Sequence, residues 1–150
     1  MYSPDHTGLP DPALDAQFYE NVPTKRLLAW IVDVLISVVI TLAIGFMTFG
    51  LLLFFYFPIL FGVSFLYRFV SIASGSATWG MRLFGIELRN AQGDRFASAE
   101  AFMHTFLFFI VNVSVIGVLI NAAMMLLGER GQGLHDYVMG STAINRPVDF

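Results

Sequence analysis

Charged side chains vanish from this chain between Asp33 and Arg68. The 34 residues from Val34 to Tyr67 would span about 51 Å as one helix, whereas a hydrocarbon core is only about 30 Å thick. The stretch is therefore expected to cross twice, turning in the uncharged region Gly45–Gly50. A first helix then runs from about Lys25 to Phe46, with Thr24 as a candidate N-cap. A second runs from Leu51 to about Ser71, kinked around Phe54–Pro58 because Pro58 lacks a backbone donor. On the first helix Arg26, Asp33, Ser37 and Thr41 recur at steps of seven and four, which draws a polar stripe along one face. Arg26 and Asp33 stand about 10 Å apart along that stripe.

The pattern changes at Ile72. Met81–Arg89 alternates apolar and polar side chains, as a short strand or an interfacial segment does, and Asn90–Gly93 reads as its turn. Ser98 is a candidate cap for the next helix. Ala101–Leu127 is apolar with His104 as its only titratable group, but Asn112, Ser114, Gly117 and Asn121 interrupt it. It makes either one tilted helix or a broken re-entrant pair, Ala99–Asn112 and Val118–Leu127. The expected fold class is an all-α membrane protein, with three to four short transmembrane or re-entrant helices and an interfacial glycine-rich loop. The ends are polar. Residues 1–24 hold four of the six prolines, together with Asp5, Asp11, Asp15 and Glu20 and no Lys or Arg, and are expected to be a flexible acidic cytoplasmic tail. The membrane domain is assigned to residues 25–144 and a C-terminal tail to 145–150.

Composition agrees on the solvent. Hydrophobic residues make up 57% and charged residues 13%, about half the usual charged share of a soluble domain, and mean hydropathy is +0.72. The first apolar segment lacks a basic leader and is expected to stay as an anchor, not a cleaved signal. With no cysteine there are no disulfides, thiolate metal sites or cysteine nucleophiles. No basic patch with interleaved aromatics suggests a nucleic acid partner. His135-Asp136 resembles a metal-phosphohydrolase dyad, but only His6 and His104 remain to complete a ligand set, so no metal and no enzyme chemistry is expected. Lys25, Arg26, Arg68, Arg82, Arg89 and Arg95 flank the two crossings, which puts these regions and the N-terminus on the cytoplasmic side.

Three segments carry a resemblance. Arg26…Asp33, then Gly75-Ser-Ala-Thr78-Trp-Gly80-Met-Arg82-Leu-Phe-Gly85-Ile, then Gly133-Leu-His135-Asp136-Tyr-Val-Met-Gly140-Ser141 resemble the RDD family of small prokaryotic membrane proteins, over roughly Val22 to Ile144. Arg26, Asp33 and Asp136 would be the arginine and two aspartates that name it. The chain departs from the family pattern in three places. Met81 stands where a lysine is usual, only His104 stands where an early basic residue is common in the third segment, and Ser141 replaces a threonine. The resemblance implies a multi-pass protein of the bacterial cytoplasmic (inner) membrane, without a cofactor, in contact with lipid. It also implies a part in transport, with cation/proton exchange in some members, so a monovalent cation or proton is an expected ligand. A homo-oligomer or a larger membrane complex is the expected setting, and a non-transporting accessory or assembly subunit is the alternative role. The cluster of Arg26, Asp33 and Asp136 reads in two ways. It binds a cation or proton, or it is an ion-pair clasp in which the planar fork of Arg26 holds both carboxylates and ties the C-terminal segment to the first helix.

Overall fold

In a computed structural model, residues 7–147 are described. The expectations for Asp5, His6 and the last three residues lie outside them. Helix α1 spans Val22–Met47, three residues earlier than expected, because Pro23 occupies its first turn, where a missing N–H costs nothing. Its N-cap is Asn21, not Thr24. The chain turns at Thr48–Gly50 and enters a short 3-10 helix, Leu51–Phe55, before α2, Tyr56–Gly75. Pro58 therefore sits in the first turn of α2 instead of kinking it mid-span, for the same reason as Pro23. Helix α3 (Trp79–Leu83) and strand β1 (Ile86–Arg89) come next, then α4 (Ser98–Asn112), α5 (Val115–Leu127), α6 (Leu134–Met139) and β2 (Thr142–Asn145). Helix α4 is capped by Glu100, whose carboxylate accepts from Ala97 N at 2.8 Å; Ser98 is its first residue.

Ala16–Met47 and Leu51–Gly75 are each long and apolar enough to cross a membrane. Helices α4 and α5 pass that test only together, and they bend by 117° at their break. The single tilted helix is thus replaced by a broken pair, at the place where Asn112 and Ser114 interrupt the apolar run. Ser114 caps α5 by accepting from Gly117 N at 3.1 Å.

One feature is not helical. Strand β1 pairs antiparallel with β2, Ile86 opposite Asn145 and Arg89 opposite Thr142. The loop and the polar C-terminal stretch thereby become one two-stranded sheet, and the boundary expected at 144/145 falls inside β2. The described part of the tail before α1 holds one short 3-10 helix, Ala16–Phe18, and is tied to the rest of the fold. Leu9 and Tyr19 are buried, and Tyr19 donates to Pro10 O at 2.7 Å. Asn145 donates to Gln17 O and Glu20 O, and it accepts from Lys25 Nζ at 2.7 Å.

The apolar core lies where the helices meet this sheet: Ile72, Ala77, Met81, Ile86, Leu88 and Ala101 are among its buried members. Toward the far ends of α1 and α2, large apolar side chains such as Phe46, Phe54 and Phe57 are exposed, as hydrocarbon-facing positions are. Between α2 and α4 the contact is aromatic, with Phe61 on Phe109 and Phe65 and Phe69 on Phe102 at 5.0–5.7 Å.

Candidate functional site

The predicted stripe of α1 is its buried face. Val22, Arg26, Ala29, Asp33, Ser37, Thr41 and Gly45 recur every three or four residues and are all shielded, while their neighbours are partly or fully exposed. Ser37 and Thr41 spend their hydroxyls on the carbonyls one turn back, at 2.9 and 2.8 Å. The two charges on the stripe look outward from the helix into different partners.

Arg26 reaches α6. Its Nη1 lies 2.6 Å from Asp136 Oδ2 and 3.4 Å from Gly131 O, and its Nη2 lies 3.3 Å from His135 Nε2. Asp136 is fully buried and its oxygens are saturated: Oδ2 also accepts from Gly133 N at 3.0 Å, and Oδ1 lies 2.7 Å from His104 Nε2. An arginine has no acceptor, so His135 Nε2 must be the bare nitrogen. The proton then sits on Nδ1, which donates to Asn121 Oδ1 at 3.2 Å. Burial pushes the Asp136 carboxyl up, but the Arg26 guanidinium and the two imidazoles override it and hold the group well below the usual carboxylate range. Burial pushes His135 well below its ordinary value, against the pull of Asp136.

Asp33 is not the second carboxylate of Arg26, contrary to the expected shared fork. It takes Tyr67 Oη at 2.7 Å and Gly80 N at 3.0 Å on Oδ1, and Thr78 Oγ1 at 2.7 Å on Oδ2. Three neutral donors from α2 and the α3 entry cage it, and no cation touches it among the described residues. This explains much of the middle motif. Thr78 caps α3 while holding Asp33. Gly80 brings α3 so close that a Cβ there would lie 2.2 Å from Ala29 O, and a side chain would break both the packing and the N–H bond to Asp33.

The other motif residues serve the frame around these two centres. Gly75 ends α2 beneath the Arg82 guanidinium, which donates to Ser71 O and Ser74 Oγ and lies 4.9 Å over the Trp79 ring. Arg82 is therefore a packing cation, bonded to neither aspartate. Gly85 turns the chain into β1 at φ +69°, and Gly140 ends α6 at φ +66°. Ser141 N returns to Asp136 O at 2.9 Å, which fixes the α6 exit.

Arg68 was expected only as a charge flanking the second crossing, inside a helix drawn to about Ser71, and was not named as a site residue. It belongs to α2, with Ser71 and Ile72 on the same buried face, and that i, i+3, i+4 spacing was the available clue. Its guanidinium lies 3.8 Å over the Phe108 ring. Helix α1 packs on α2 and α3, and α5 packs on α4 and α6. Between α1 and α5 lies a cavity of about 560 Å³, which Arg26, Asp33, Arg68 and Asn121 line together with Trp30, Phe61 and other apolar groups.

His104, His135 and Asp136 hold their ligand-type atoms within 4.8 Å, close enough for a metal ion. Each facing atom is already engaged, with the Arg26 cation among them, so a metal would have to displace the clasp.

A comparison with known families decides the affiliation. The RDD family model matches residues 22–140, from the first residue of α1 to the end of α6. The chain belongs to the RDD family. Neither a curated protein nor a solved structure matches it. The RDD match covers both aspartate centres and Arg68, and it leaves out β2.

The neutral, buried His135 of this RDD protein makes stability depend on pH. As pH falls through about 6.5, the unfolded chain binds a proton there that the folded chain refuses, so stability present above that pH is lost below it. The slope is up to about 1.4 kcal/mol per pH unit for one proton. Asp136 adds a second acid loss only below about pH 4, where unfolded carboxyls protonate. Thermal melting in detergent from pH 8 to 5 checks this: His135→Gln should flatten the fall between 6.5 and 5, and an unchanged slope would show that another group titrates.

Proposed function

We propose that this RDD protein is a small transport protein of the bacterial cytoplasmic membrane. In this reading it takes its solute into the cavity between α1 and α5 and couples a proton or monovalent cation through Asp33. The observation that carries the reading is the meeting of Arg26, Asp33 and Arg68 on one cavity inside otherwise apolar helices. An ionisable group in a membrane helix costs roughly 2.5–3.5 kcal/mol on insertion scales and is kept for a purpose. The two aspartates divide the work. Asp136 is sealed behind Arg26 and His104 and acts as the clasp, whereas Asp33 borders open volume that a solute can reach.

The sheet end, with Lys25, Arg82, Arg89, Arg95 and Arg146, faces the cytoplasm in this reading, so the N-terminus is cytoplasmic and the chain multi-pass. So few crossings enclose a path best as a homo-oligomer. The accessory-subunit reading draws on α5, where Asn121 is the buried residue and Leu119, Leu126 and Leu127 lie exposed for lipid or a partner protein.

Proteoliposomes carrying a pH gradient test the transport reading. Addition of sodium or potassium should release protons faster from vesicles with the wild type than from empty ones, and Asp33→Asn should remove at least nine-tenths of the difference. Wild-type flux equal to that of empty vesicles would overturn the reading and leave the accessory role, which co-purification of a constant membrane partner would support.

A further inference from the structure

The buried charges of the cavity are unequally served. Arg26 has Asp136, and Asp33 has Tyr67, Thr78 and Gly80 N. Arg68 is 6% exposed and has a ring beneath it but no hydrogen-bond acceptor: Nε is an orphan, and among the described residues no oxygen bonds its Nη groups. The carboxylates of the site, Asp33 and Asp136, are bonded elsewhere, and neither pairs with Arg68. A guanidinium carries five N–H donors in a planar fork, and leaving them unmet in a low-dielectric site is costly.

The cavity on which Arg68 faces has a definite polarity. Its far walls are apolar, and its lining includes Leu27, Trp30, Val118 and Leu126, all exposed at the molecular surface. Exposed apolar side chains on such helices face acyl chains, so the cavity opens to the bilayer and not only to water. Arg68 stands seven residues from the Gly75 end of α2, about 10 Å along the axis, a depth a headgroup can reach by dipping below its leaflet surface.

We propose that this cavity binds an anionic lipid, the headgroup phosphate on the Arg68 fork and an acyl chain along Trp30 and Phe61. A phosphate supplies the acceptors that Arg68 lacks, bidentate and in the plane of the guanidinium. Asn121 offers a further polar contact, and the apolar wall removes the chain from competition with water. The inference rests on the cavity of the proposed function being a binding site and names what occupies it. It is read by binding alone, so it stands or falls separately from flux.

Trp30 on the cavity wall supplies the probe. The full chain carrying Trp79→Phe, which leaves Trp30 as its only indole, is placed in phosphatidylcholine vesicles. Brominated phosphatidylglycerol or brominated phosphatidylcholine is then titrated in. The anionic lipid should quench Trp30 at a three- to tenfold lower mole fraction, Arg68→Gln should abolish that preference, and Arg82→Gln, a cation outside the cavity, should retain it. Brominated oleate tests a carboxylate on the same chain, and inorganic phosphate tests the headgroup alone. Displacement of the brominated lipid by unbrominated phosphatidylglycerol but not by millimolar phosphate supports a site for head and chain together. Displacement by phosphate, or an oleate preference above that for the phospholipid, overturns the lipid assignment. Equal quenching by both phospholipids in the Arg68-containing protein overturns the proposal without any Arg68 variant having to fold.

Discussion

Replacing Arg26 with alanine is expected to cost about 3–5 kcal/mol of stability, the range seen when one partner of a buried ion pair is removed. Adding Asp136→Asn should return a large part of that. Asp136 is completely enclosed, and its Oδ2 loses the guanidinium at 2.6 Å. The groups left on it, Gly133 N and His104 Nε2, offer hydrogen bonds but do not replace the guanidinium. Asparagine removes the stranded charge and still accepts from Gly133 N. The informative control is Asp33→Asn on the same Arg26→Ala background. Asp33 is held by Tyr67, Thr78 and Gly80 N, so neutralising it should rescue nothing. Thermal melting of the three variants in one detergent decides the matter. Equal rescue by the two asparagine changes would mean that Arg26 serves both aspartates and that the two centres are not separate.

The second large effect is expected at Glu87, outside the named motif triad. This residue is fully buried on β1 and is gripped by Arg89, by Arg95 Nη2 at 3.3 Å and by Arg146 Nε at 3.2 Å. The arginine side chains are between 20% and 53% exposed, so water can take over whichever of them is released. The asymmetry sets the prediction. Glu87→Ala should cost roughly 1.5–3 kcal/mol for its charged hydrogen bonds, whereas Arg95→Ala or Arg146→Ala should cost about 1 kcal/mol or less. Because Arg146 comes directly after β2, the Glu87 variant should also release the C-terminal strand to proteolysis, which mass mapping of the fragments would detect. Equal losses at Glu87 and at either arginine would show that the carboxylate is not the hub.

The contrast between Arg26 and Asp33 shows how much can be read from the chain alone. A helical period reveals which residues share a face, and the stripe from Arg26 to Thr41 was legible for that reason. It does not reveal what lies opposite. Asp136 could be inferred as a partner because a buried carboxylate needs a cation. The cage around Asp33 is made of neutral donors, two of them more than 40 residues away in a segment without a helical period. Arg68 was missed as a site residue because a charge near the end of a membrane helix reads as a flanking charge until its face is seen to pack on Phe108. The alternation over Met81–Arg89 was borne out only at β1, since Trp79–Leu83 is helical, and β2 was not anticipated, because four residues carry too short a pattern to declare themselves. The break after Asn112 could be expected from its polar residues, and Pro58 misled because its effect depends on where the helix begins.

The clasp closes the chain's first membrane helix with nearly its last segment, and this has a consequence for biosynthesis. Arg26 and Asp136 are 136 − 26 = 110 residues apart. At a synthesis rate of about 5–20 residues per second, roughly 5–20 seconds separate the emergence of the two. Throughout that interval α1 must be accepted by the insertion machinery with Arg26 still lacking its carboxylate, close enough to the helix start to snorkel toward the headgroups. A ribosome that stalls before Gly133 would leave a nascent chain inserted but unlatched, and such a product is a natural substrate for membrane quality-control proteases.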